Sequence, residues 1–425
     1  MNIGIIIGRI GDVDGVGLET EKWIQVLQGM GHEIFILSGI FKVQVVSPEC
    51  QTLLPILSFF SPECEWEQNR AFFLPPDDPD ELLMMIDENA HRVSTAIFGW
   101  VLRNKIDVIL TENCTSLPCH LSMGRGIMKA VENMDIRVVT HNHDYAWERD
   151  ERYHSPFREI QKLVEETFPL RSAPNIRHAV INSNARQELE DRFGIVAVVV
   201  PNVMDFDQPF GRVDNYNKDL LDQIGLNQDD IALFQITRIV ERKGIGVAID
   251  LVDQLDVPKI KLVITGTAVD DERKGYYKQL VDRVESQGLG NRVRFAHRRI
   301  LSHRGTSSSG KKLYSLSDAY AQATGCTYFS TYEGFGNAFV EAVLAKRPIF
   351  VNNYKPVFWP DIGSKGFECV MLEDNKLTDQ SIDRIGQILR DKKLQMEITE
   401  HNFELGRKYF SYDVLVNKLE VLFGD

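Results

Sequence analysis

Short apolar runs alternate with helical patterns along the first 200 residues of the chain. Six of these runs predict strands, at residues 3–7, 33–37, 108–111, 137–141, 178–182 and 196–200. Most of them are continuously apolar, which is typical of parallel strands that are buried on both faces. Helical stretches lie between them; in residues 18–30, for example, Trp23 and Leu27 fall on one apolar stripe. This alternation predicts a doubly wound α/β sheet.

The same alternation starts again after residue 230. Further strands are predicted at residues 231–236, 261–266, 292–296, 326–330 and 348–351, and an apolar stripe over residues 245–255 predicts a helix. Prolines, a glycine and many Asn and Asp residues mark a boundary within residues 201–225. We therefore predict two α/β domains, residues 1–205 and 206–405, with a helix over residues 402–423. The Gly- and Ser-rich residues 305–310 predict a flexible loop.

Composition narrows the class of protein. The chain has 425 residues, of which 43% are hydrophobic and 26% charged, as in ordinary globular proteins. A net charge of −13 argues against a nucleic-acid partner, because that affinity comes from clustered Lys and Arg. No apolar run reaches the ~18–20 residues of a membrane-spanning helix, so we expect no integral membrane segment. Six cysteines and an N-terminus without a basic leader predict a cytoplasmic protein.

A glycine-rich turn follows the first predicted strand. Gly15 and Gly17 stand where a helix would begin, and exposed amides at a helix start bind anions. The spacing is not that of the dinucleotide fingerprint, which makes a dehydrogenase the least favoured enzyme class. Asp12 and Asp14 also disfavour a bound phosphate. A purely structural turn is an equal alternative.

Two groups in the second half predict an anion site at the carboxyl end of a sheet. Arg238 and Lys243 follow the strand at residues 231–236, in the position where open α/β sheets bind ligands. Residues 330–342, Ser-Thr-Tyr-Glu-Gly-Phe-Gly-Asn-Ala-Phe-Val-Glu-Ala, predict a strand end, a glycine loop and a helix start. Glu333 and Glu341 flank that loop, and a carboxylate can bind a ribose diol. The alternatives are a solvated charge cluster and a capped surface helix.

The ordered set of motifs resembles family 4 of the glycosyltransferases, which have the GT-B fold of two Rossmann-like domains facing across a cleft. The motifs are the glycine turn, a His-Asp pair, Pro201-Asn202, Arg238 with Lys243-Gly244, and Glu-x7-Glu within Glu-Gly-Phe-Gly-Asn-Ala-Phe-Val-Glu. The resemblance covers nearly the whole chain. It implies transfer of a hexose from a nucleotide-sugar, with retention and without an essential metal. It also implies that residues 406–425 return to the first domain.

The resemblance implies the donor contacts. Arg238 and Lys243 would bind the donor diphosphate, Glu333 the donor sugar and Glu341 the ribose. The remaining expected donor contacts are Gly266, Gly334, Phe335, Gly336 and Asn337. The cosubstrate would be GDP-mannose or UDP-glucose, with no required cofactor and with magnesium at most stimulatory. Arg238, Lys243 and Glu333 are three of the four predicted catalytic residues.

The fourth predicted catalytic residue is His143, which the resemblance places beside the reacting sugar. His141 lies two residues earlier and would share its face if the strand continues, so it stays a second candidate. Residues 144–153 are rich in aromatic and guanidinium groups and predict recognition of a charged acceptor, with a solvated helix start as the alternative. The full set of predicted acceptor contacts is Gly15, Gly17, His141, Asp144, Trp147, Arg149 and Arg152. We predict no metal site, although His141, His143 and Asp144 offer ligand atoms.

Three segments also resemble mannosylglucosylglycerate synthases, which use GDP-mannose on a small acidic glucoside; they are residues 8–23, 141–153 and 237–244. The expected partners are therefore a nucleotide-sugar donor and a small sugar acceptor such as a glucosylglycerate-type glycoside. A nucleotide-sugar 2-epimerase of the same fold and a non-catalytic sugar-nucleotide-binding protein are the alternatives. The sequence leaves open whether the protein is a monomer or a homodimer.

Overall fold

The computed structural model describes residues 1–12, 14–266 and 275–424, with Asp150 described through its backbone alone. The chain divides into two compact units. One consists of Met1–Asn202 with Asp413–Asp425, and the other of Val203–Tyr412. Asp425, the last residue of the segment expected to return to the first domain, lies outside the described residues.

The first unit contains a seven-stranded parallel sheet. In chain order its elements are β1 (Asn2–Ile7), α1 (Gly15–Gly29), β2 (Glu33–Ser38), β3 (Gln51–Leu53), α2 (Pro62–Gln68), α3 (Asp80–Asn104), β4 (Val108–Glu112), α4 (Leu121–Glu132), β5 (Arg137–Asn142), α5 (Arg158–Thr167), β6 (Ile176–Val180), α6 (Ser183–Phe193) and β7 (Ala197–Val199). The strand order is β3-β2-β1-β4-β5-β6-β7. Successive crossovers therefore reverse direction between β1 and β4, which is where doubly wound sheets bind ligands.

Burial explains the continuous apolar runs of this sheet. Ile3, Ile5 and Ile6 of β1 are fully buried, and a Cβ added to Gly4 would lie 2.6 Å from the side chain of Trp100 in α3. The helix therefore packs directly on the strand backbone at that glycine. A strand covered on both faces has no polar positions, as the sequence pattern predicts.

The second unit repeats the plan with six parallel strands. Its elements are α7 (Leu220–Gln223), β8 (Ile231–Gln235), α8 (Ile245–Leu255), β9 (Ile260–Ile264), α9 (Tyr276–Ser286), β10 (Val293–Phe295), β11 (Gly305–Thr306), β12 (Lys312–Leu313), α10 (Leu316–Gln322), β13 (Gly325–Tyr328), α11 (Asn337–Leu344), β14 (Ile349–Asn352), α12 (Phe358–Asp361), β15 (Val370–Leu372), α13 (Asp379–Arg390) and α14 (Lys392–Phe410). The strand order is β10-β9-β8-β13-β14-β15, with the reversal between β8 and β13.

The last helix, α15 (Tyr412–Phe423), belongs to the first unit from Asp413 onward. Leu415, Leu419 and Leu422 form its buried side. The guanidinium of Arg137 in β5 donates hydrogen bonds to the carbonyl oxygens of Phe423 and Gly424, both at 3.3 Å. The end of the helix is therefore fixed to the start of β5, an interior strand of the sheet, by charge-assisted bonds as well as by apolar burial.

Several elements differ from those predicted. Residues 402–423 form parts of two helices, because Ser411 takes an extended conformation between α14 and α15. Residues 305–310 form one strand and the turn of an antiparallel hairpin in which β11 pairs with β12. The short strands β3 and β15 lie at sheet edges and were not predicted. Among the described residues, no helix has the length and apolar composition to cross a bilayer.

Candidate active-site residues

A buried carboxylate and two histidines meet at the carboxyl ends of β4 and β5. Glu112 and His141 are partners in the parallel register of these strands, so their side chains leave the sheet on the same face. Glu112 accepts a hydrogen bond from His141 Nδ1 at 3.0 Å. The ring of His143 lies 4.3 Å from that of His141, and its Nε2 is 3.7 Å from Glu112 Oε2. The two histidines therefore face one carboxylate.

The charges of this group follow from burial and hydrogen bonding. Burial alone would raise the pKa of the Glu112 carboxyl, but the neighbouring His141 and His143 lower it to about 2. Burial lowers the pKa of His141, whose imidazole is therefore neutral near pH 7. The ring of Trp23 in α1 stacks on His141 with centroids 4.0 Å apart. The ionised carboxylate of Glu112 thus lies next to the neutral imidazole of His141, whose position is fixed by Trp23.

Asn113 connects this group to Asp144. Its side-chain oxygen accepts a hydrogen bond from the backbone N–H of His143 at 3.0 Å, and its amide nitrogen donates to Asp144 at 3.1 Å. Asn113 has a φ of +53°, a conformation that asparagine tolerates better than most residues. Asp144 also forms an ion pair with Arg149. The structure therefore brings the predicted catalytic residue His143 close to two predicted acceptor contacts, Asp144 and Arg149, through a residue that the sequence analysis did not single out.

Trp147 and Arg152 lie on the short helix Ala146–Tyr153 and have neighbours within the first unit. The Trp147 ring stacks on Tyr145 with centroids 4.5 Å apart, and the guanidinium of Arg192 lies 4.8 Å from its centroid. Two side chains therefore already pack on this indole, so the expected stacking on a sugar would compete with them. Arg152 is exposed, with its guanidinium 5.7 Å from the ring of Phe73.

Glu148 lies in the first turn of the same short helix, and its carboxyl predicts how stability depends on pH. It accepts a hydrogen bond from the backbone N–H of Tyr145 at 2.7 Å, while burial raises its pKa from 4.5 to about 7. When folding raises the pKa of a carboxyl, the protein loses stability as the pH rises from the pKa of that group in the unfolded chain through its pKa in the folded protein. We expect Glu148→Gln, which keeps an acceptor oxygen, to raise stability at pH 8 by about 1–2 kcal/mol. Near pH 5 the gain should vanish.

Thermal unfolding at the two pH values measures this difference, which corresponds to a Tm shift of about 2–5 °C at pH 8. Glu151→Gln is the matched control, because Glu151 is exposed on the same short helix. An equal gain at pH 5 and pH 8 would show that the charge of Glu148 is not the cause.

The glycine turn of the first unit leads into a helix whose N-terminus is capped by a side chain. Gly15 is the first residue of α1, and Asp14 caps it by accepting a hydrogen bond from the Gly17 backbone N–H at 3.0 Å. Asp14 in turn pairs with Arg9 at 3.0 Å. One amide at this helix start is thus already bonded to a carboxylate, so any ligand there meets the remaining amides and a negative charge.

In the second unit, Lys243 and Glu333 form a buried ion pair across the reversal between β8 and β13. Lys243 lies on the short helix Glu241–Lys243 after β8, and Glu333 lies in the loop after β13. Burial lowers the pKa of the Lys243 ammonium although Glu333 opposes that shift. Burial alone would raise the pKa of the Glu333 carboxyl, but Lys243 and Arg242 lower it. The geometry brings together two predicted donor residues and adds Arg242, 3.4 Å from Glu333.

The loop from Gly334 to Asn337 leads into α11, which begins at Asn337. Gly336 has a φ of +126°, and a Cβ there would lie 2.1 Å from the hydroxyl oxygen of Tyr354. That hydroxyl donates to the Phe335 carbonyl at 2.9 Å, and the Phe335 side chain is buried. Tyr354 therefore fixes the loop, while the predicted contact of Phe335 with the donor could come only from its backbone.

Glu341 and Arg238 are the remaining predicted donor residues. Glu341 lies one turn inside α11 and accepts a hydrogen bond from the Tyr320 hydroxyl at 2.9 Å. Arg238 is exposed after β8. Both follow the carboxyl ends of the central strands of the sheet, where open α/β sheets bind ligands.

Gly266 allows two loops of the second unit to touch. It follows β9, and a Cβ there would lie 1.7 Å from the carbonyl oxygen of Thr237, next to Arg238. We expect Gly266→Ala to lower stability by about 1–3 kcal/mol, because the added methyl group must push backbone aside. The measurement is the midpoint of thermal unfolding. Gly290→Ala is the control, since a Cβ at Gly290 would meet nothing within 4 Å; equal midpoints for both variants would contradict the close approach.

The two sheets are those of a GT-B glycosyltransferase. Anabaena Alr3699/HepE in complex with UDP and glucose superposes with a TM-score of 0.65 over 99% of each chain, at 14% identity. A family model described as glycosyl transferases group 1 matches residues 217–404. The chain belongs to this family, and it is a glycosyltransferase enzyme.

Two relatives of the chain share a more specific activity name. The mannosylglucosylglycerate synthase of Thermotoga maritima is 31% identical, with 98% of each chain covered. The mannosylglucosylglycerate synthase of Petrotoga mobilis is 30% identical over 91% of this chain and 90% of its own. These matches confirm the predicted resemblance. They give no support to the epimerase and non-catalytic alternatives.

Proposed function

We propose that the chain transfers a mannosyl residue from GDP-mannose to a hydroxyl of a glucosylglycerate-type acceptor, with retention of the anomeric configuration. The observation that carries the proposal is the 30–31% identity to two mannosylglucosylglycerate synthases over 91% and 98% of this chain. UDP-glucose is the second donor to be tested, since the sequence motifs do not identify the nucleotide base of the donor.

The donor site in this proposal is the group around Lys243 and Glu333. A departing nucleoside diphosphate develops negative charge, and fixed cations lower the barrier because they need no reorganisation. Lys243, held by its buried ion pair, and Arg238 would bind the diphosphate. The N–H groups at the start of α11 would add partial positive charge, and Glu341 would bind the ribose hydroxyls. The departing phosphate would accept the acceptor proton, so no protein base is required.

The acceptor site in this proposal is the group around His143. His143 would donate a hydrogen bond to a sugar hydroxyl, with Asp144 and the His141 ring beside it. The exposed guanidinium of Arg152 would bind the glycerate carboxylate, since a guanidinium fork matches the two oxygens of a carboxylate. The charge of the acceptor is thus the feature that separates this substrate from neutral glucosides.

The test is a product assay with the full chain, GDP-mannose and glucosylglycerate, followed by mass spectrometry and by NMR of the anomeric proton. We expect a product of donor hexose plus acceptor, with an α-mannosidic bond if the configuration is retained. Glucosylglycerol is the matched acceptor, because it carries a neutral hydroxymethyl group in place of the carboxylate. The loss of one charge-assisted hydrogen bond to the acceptor, worth about 1.5–3 kcal/mol, predicts a kcat/KM lower by roughly 10–100-fold.

Three other outcomes would change the proposal. Turnover with UDP-glucose alone would replace the donor. Equal rates on both acceptors would remove the role of the acceptor charge. Absence of turnover with either donor, in a protein whose unfolding temperature rises with GDP, would place the error in the acceptor.

A further inference from the structure

Glu112, His141 and His143 have the composition of a metal site. One ligand atom from each of these residues lies within 4.8 Å of the other two. It is the only such group of three His, Cys, Asp or Glu side chains among the residues that the structure describes. Asp144, considered with the histidines in the sequence analysis, instead bonds Asn113 and Arg149.

The spacing fits one small ion. Bonds of 2.0–2.1 Å in a tetrahedral site place neighbouring ligand atoms about 3.3–3.4 Å apart. Glu112 Oε2 lies 3.0 Å from His141 Nδ1 and 3.7 Å from His143 Nε2, on either side of that value. The carboxylate is therefore close enough to both rings for the three side chains to share one ion after they adjust, since one ligand atom of each lies within 4.8 Å of the other two.

One ring nitrogen of His143 is buried next to Glu112 without a hydrogen-bond partner among the described residues. The His143 side chain is 9% exposed, and the nitrogen is its Nε2. At 3.7 Å from Glu112 Oε2 it is too far for a hydrogen bond, although it faces an oxygen that can bind a cation. A buried polar atom left in this state costs free energy, and a metal ion would remove that cost.

We propose that Glu112, His141 and His143 bind one first-row divalent transition-metal ion of the Zn²⁺, Mn²⁺ or Co²⁺ type. Two imidazole nitrogens with one carboxylate suit these ions better than Mg²⁺ or Ca²⁺, which prefer oxygen ligands. The ion takes the place of the Nδ1 proton of His141, which moves to Nε2 of the same neutral ring, so the ring stays neutral and no net proton is released. This departs from the sequence-based expectation of no metal site. It is independent of the proposed reaction, because binding is measured without donor or acceptor.

The experiment is calorimetric titration of the chelator-treated full chain with ZnCl₂, MnCl₂, CoCl₂ and MgCl₂. We expect one equivalent of a transition-metal ion to bind, with Mg²⁺ bound far more weakly. Bound Co²⁺ should show the intense visible absorption of a low-coordinate site. Glu112→Gln should weaken binding by about 100-fold or more, because it removes the anionic ligand.

The control is His303→Gln, which removes an exposed histidine of the second unit and should bind the ion as the wild type does. If Glu112→Gln does not fold, His143→Gln carries the same expectation. Unchanged affinity in a folded ligand variant would overturn the proposal. So would the absence of a stoichiometric site in the wild type, or a loss of the site in His303→Gln.

Discussion

We expect Lys243→Met to lower kcat/KM by about 100-fold or more, with donor KM and kcat both affected. The Lys243 ammonium is 8% exposed and is held by Glu333 at the carboxyl ends of the central strands. A cation fixed in this way stabilises a departing diphosphate without having to reorganise. Methionine keeps most of the length of the apolar stem and removes the ammonium group.

A second variant separates the role of Lys243 in catalysis from its role in folding. Lys243→Met leaves the buried carboxylate of Glu333 with Arg242 as its remaining cation, so it should also lower the unfolding temperature. Adding Glu333→Gln removes the unpaired charge and should restore much of the stability. It should not restore activity, because the cation stays absent. Steady-state kinetics and thermal unfolding of the two variants measure both effects.

Lys259→Met is the matched control. Lys259 forms an ion pair with Asp229 at the surface of the same unit, and exposed pairs contribute little to stability. It should leave kcat/KM unchanged. Wild-type kcat/KM in folded Lys243→Met would remove this lysine from the donor site, and rescue of activity by Glu333→Gln would make its role structural.

The strands of both sheets could be predicted because burial on two faces leaves a clear apolar signature. β3 and β15 lack it: Gln51–Leu53 and Val370–Leu372 are three residues long, lie at sheet edges, and are mostly half-buried or exposed. The ordered motifs were enough to predict the family. The residues of these motifs must lie at the carboxyl ends of particular strands to contact a ligand. The motifs therefore occur along the chain in the same order as those strands.

The partners of the predicted site residues could not be read from the sequence. Glu112 precedes His141 by 29 positions, and only the parallel register of β4 and β5 makes them neighbours. Lys243 and Glu333 are 90 positions apart and meet through the strand order of the second sheet. Arg242 was visible as a charge beside Lys243, but its direction toward Glu333 depends on the short helix after β8.

The prediction that Trp147 contacts the acceptor rests on local composition alone. An aromatic residue near a histidine motif indicates sugar stacking, whereas the structure places Tyr145 and Arg192 against its ring. Arg192 comes from α6, more than forty residues later in the chain. Local composition identifies the residue type that a site needs, but neighbours from other elements decide whether a ring is available.

The second large effect concerns His143, for which we expect His143→Ala to lower kcat by about 100- to 1,000-fold. Its ring lies beside His141 and Glu112 at the carboxyl end of β5, and its backbone N–H is fixed by Asn113 at 3.0 Å. A contact with the reacting sugar that is fully made only in the transition state acts mainly on kcat. Binding of GDP, followed by the shift in unfolding temperature, should be unchanged because Lys243 and Glu333 are untouched.

His143→Gln tests whether a hydrogen-bond donor is what the reaction needs, since the glutamine amide has a similar reach. It should recover about 10-fold of the activity that alanine loses, because one neutral hydrogen bond is worth about 0.5–1.5 kcal/mol. His91→Ala, at an exposed position of α3, is the control and should match the wild type. A folded His143→Ala enzyme with near wild-type kcat would exclude His143 from the reacting centre and leave His141 as the candidate. Loss of GDP binding in the same variant would instead indicate that the substitution disturbs the structure well beyond its own strand.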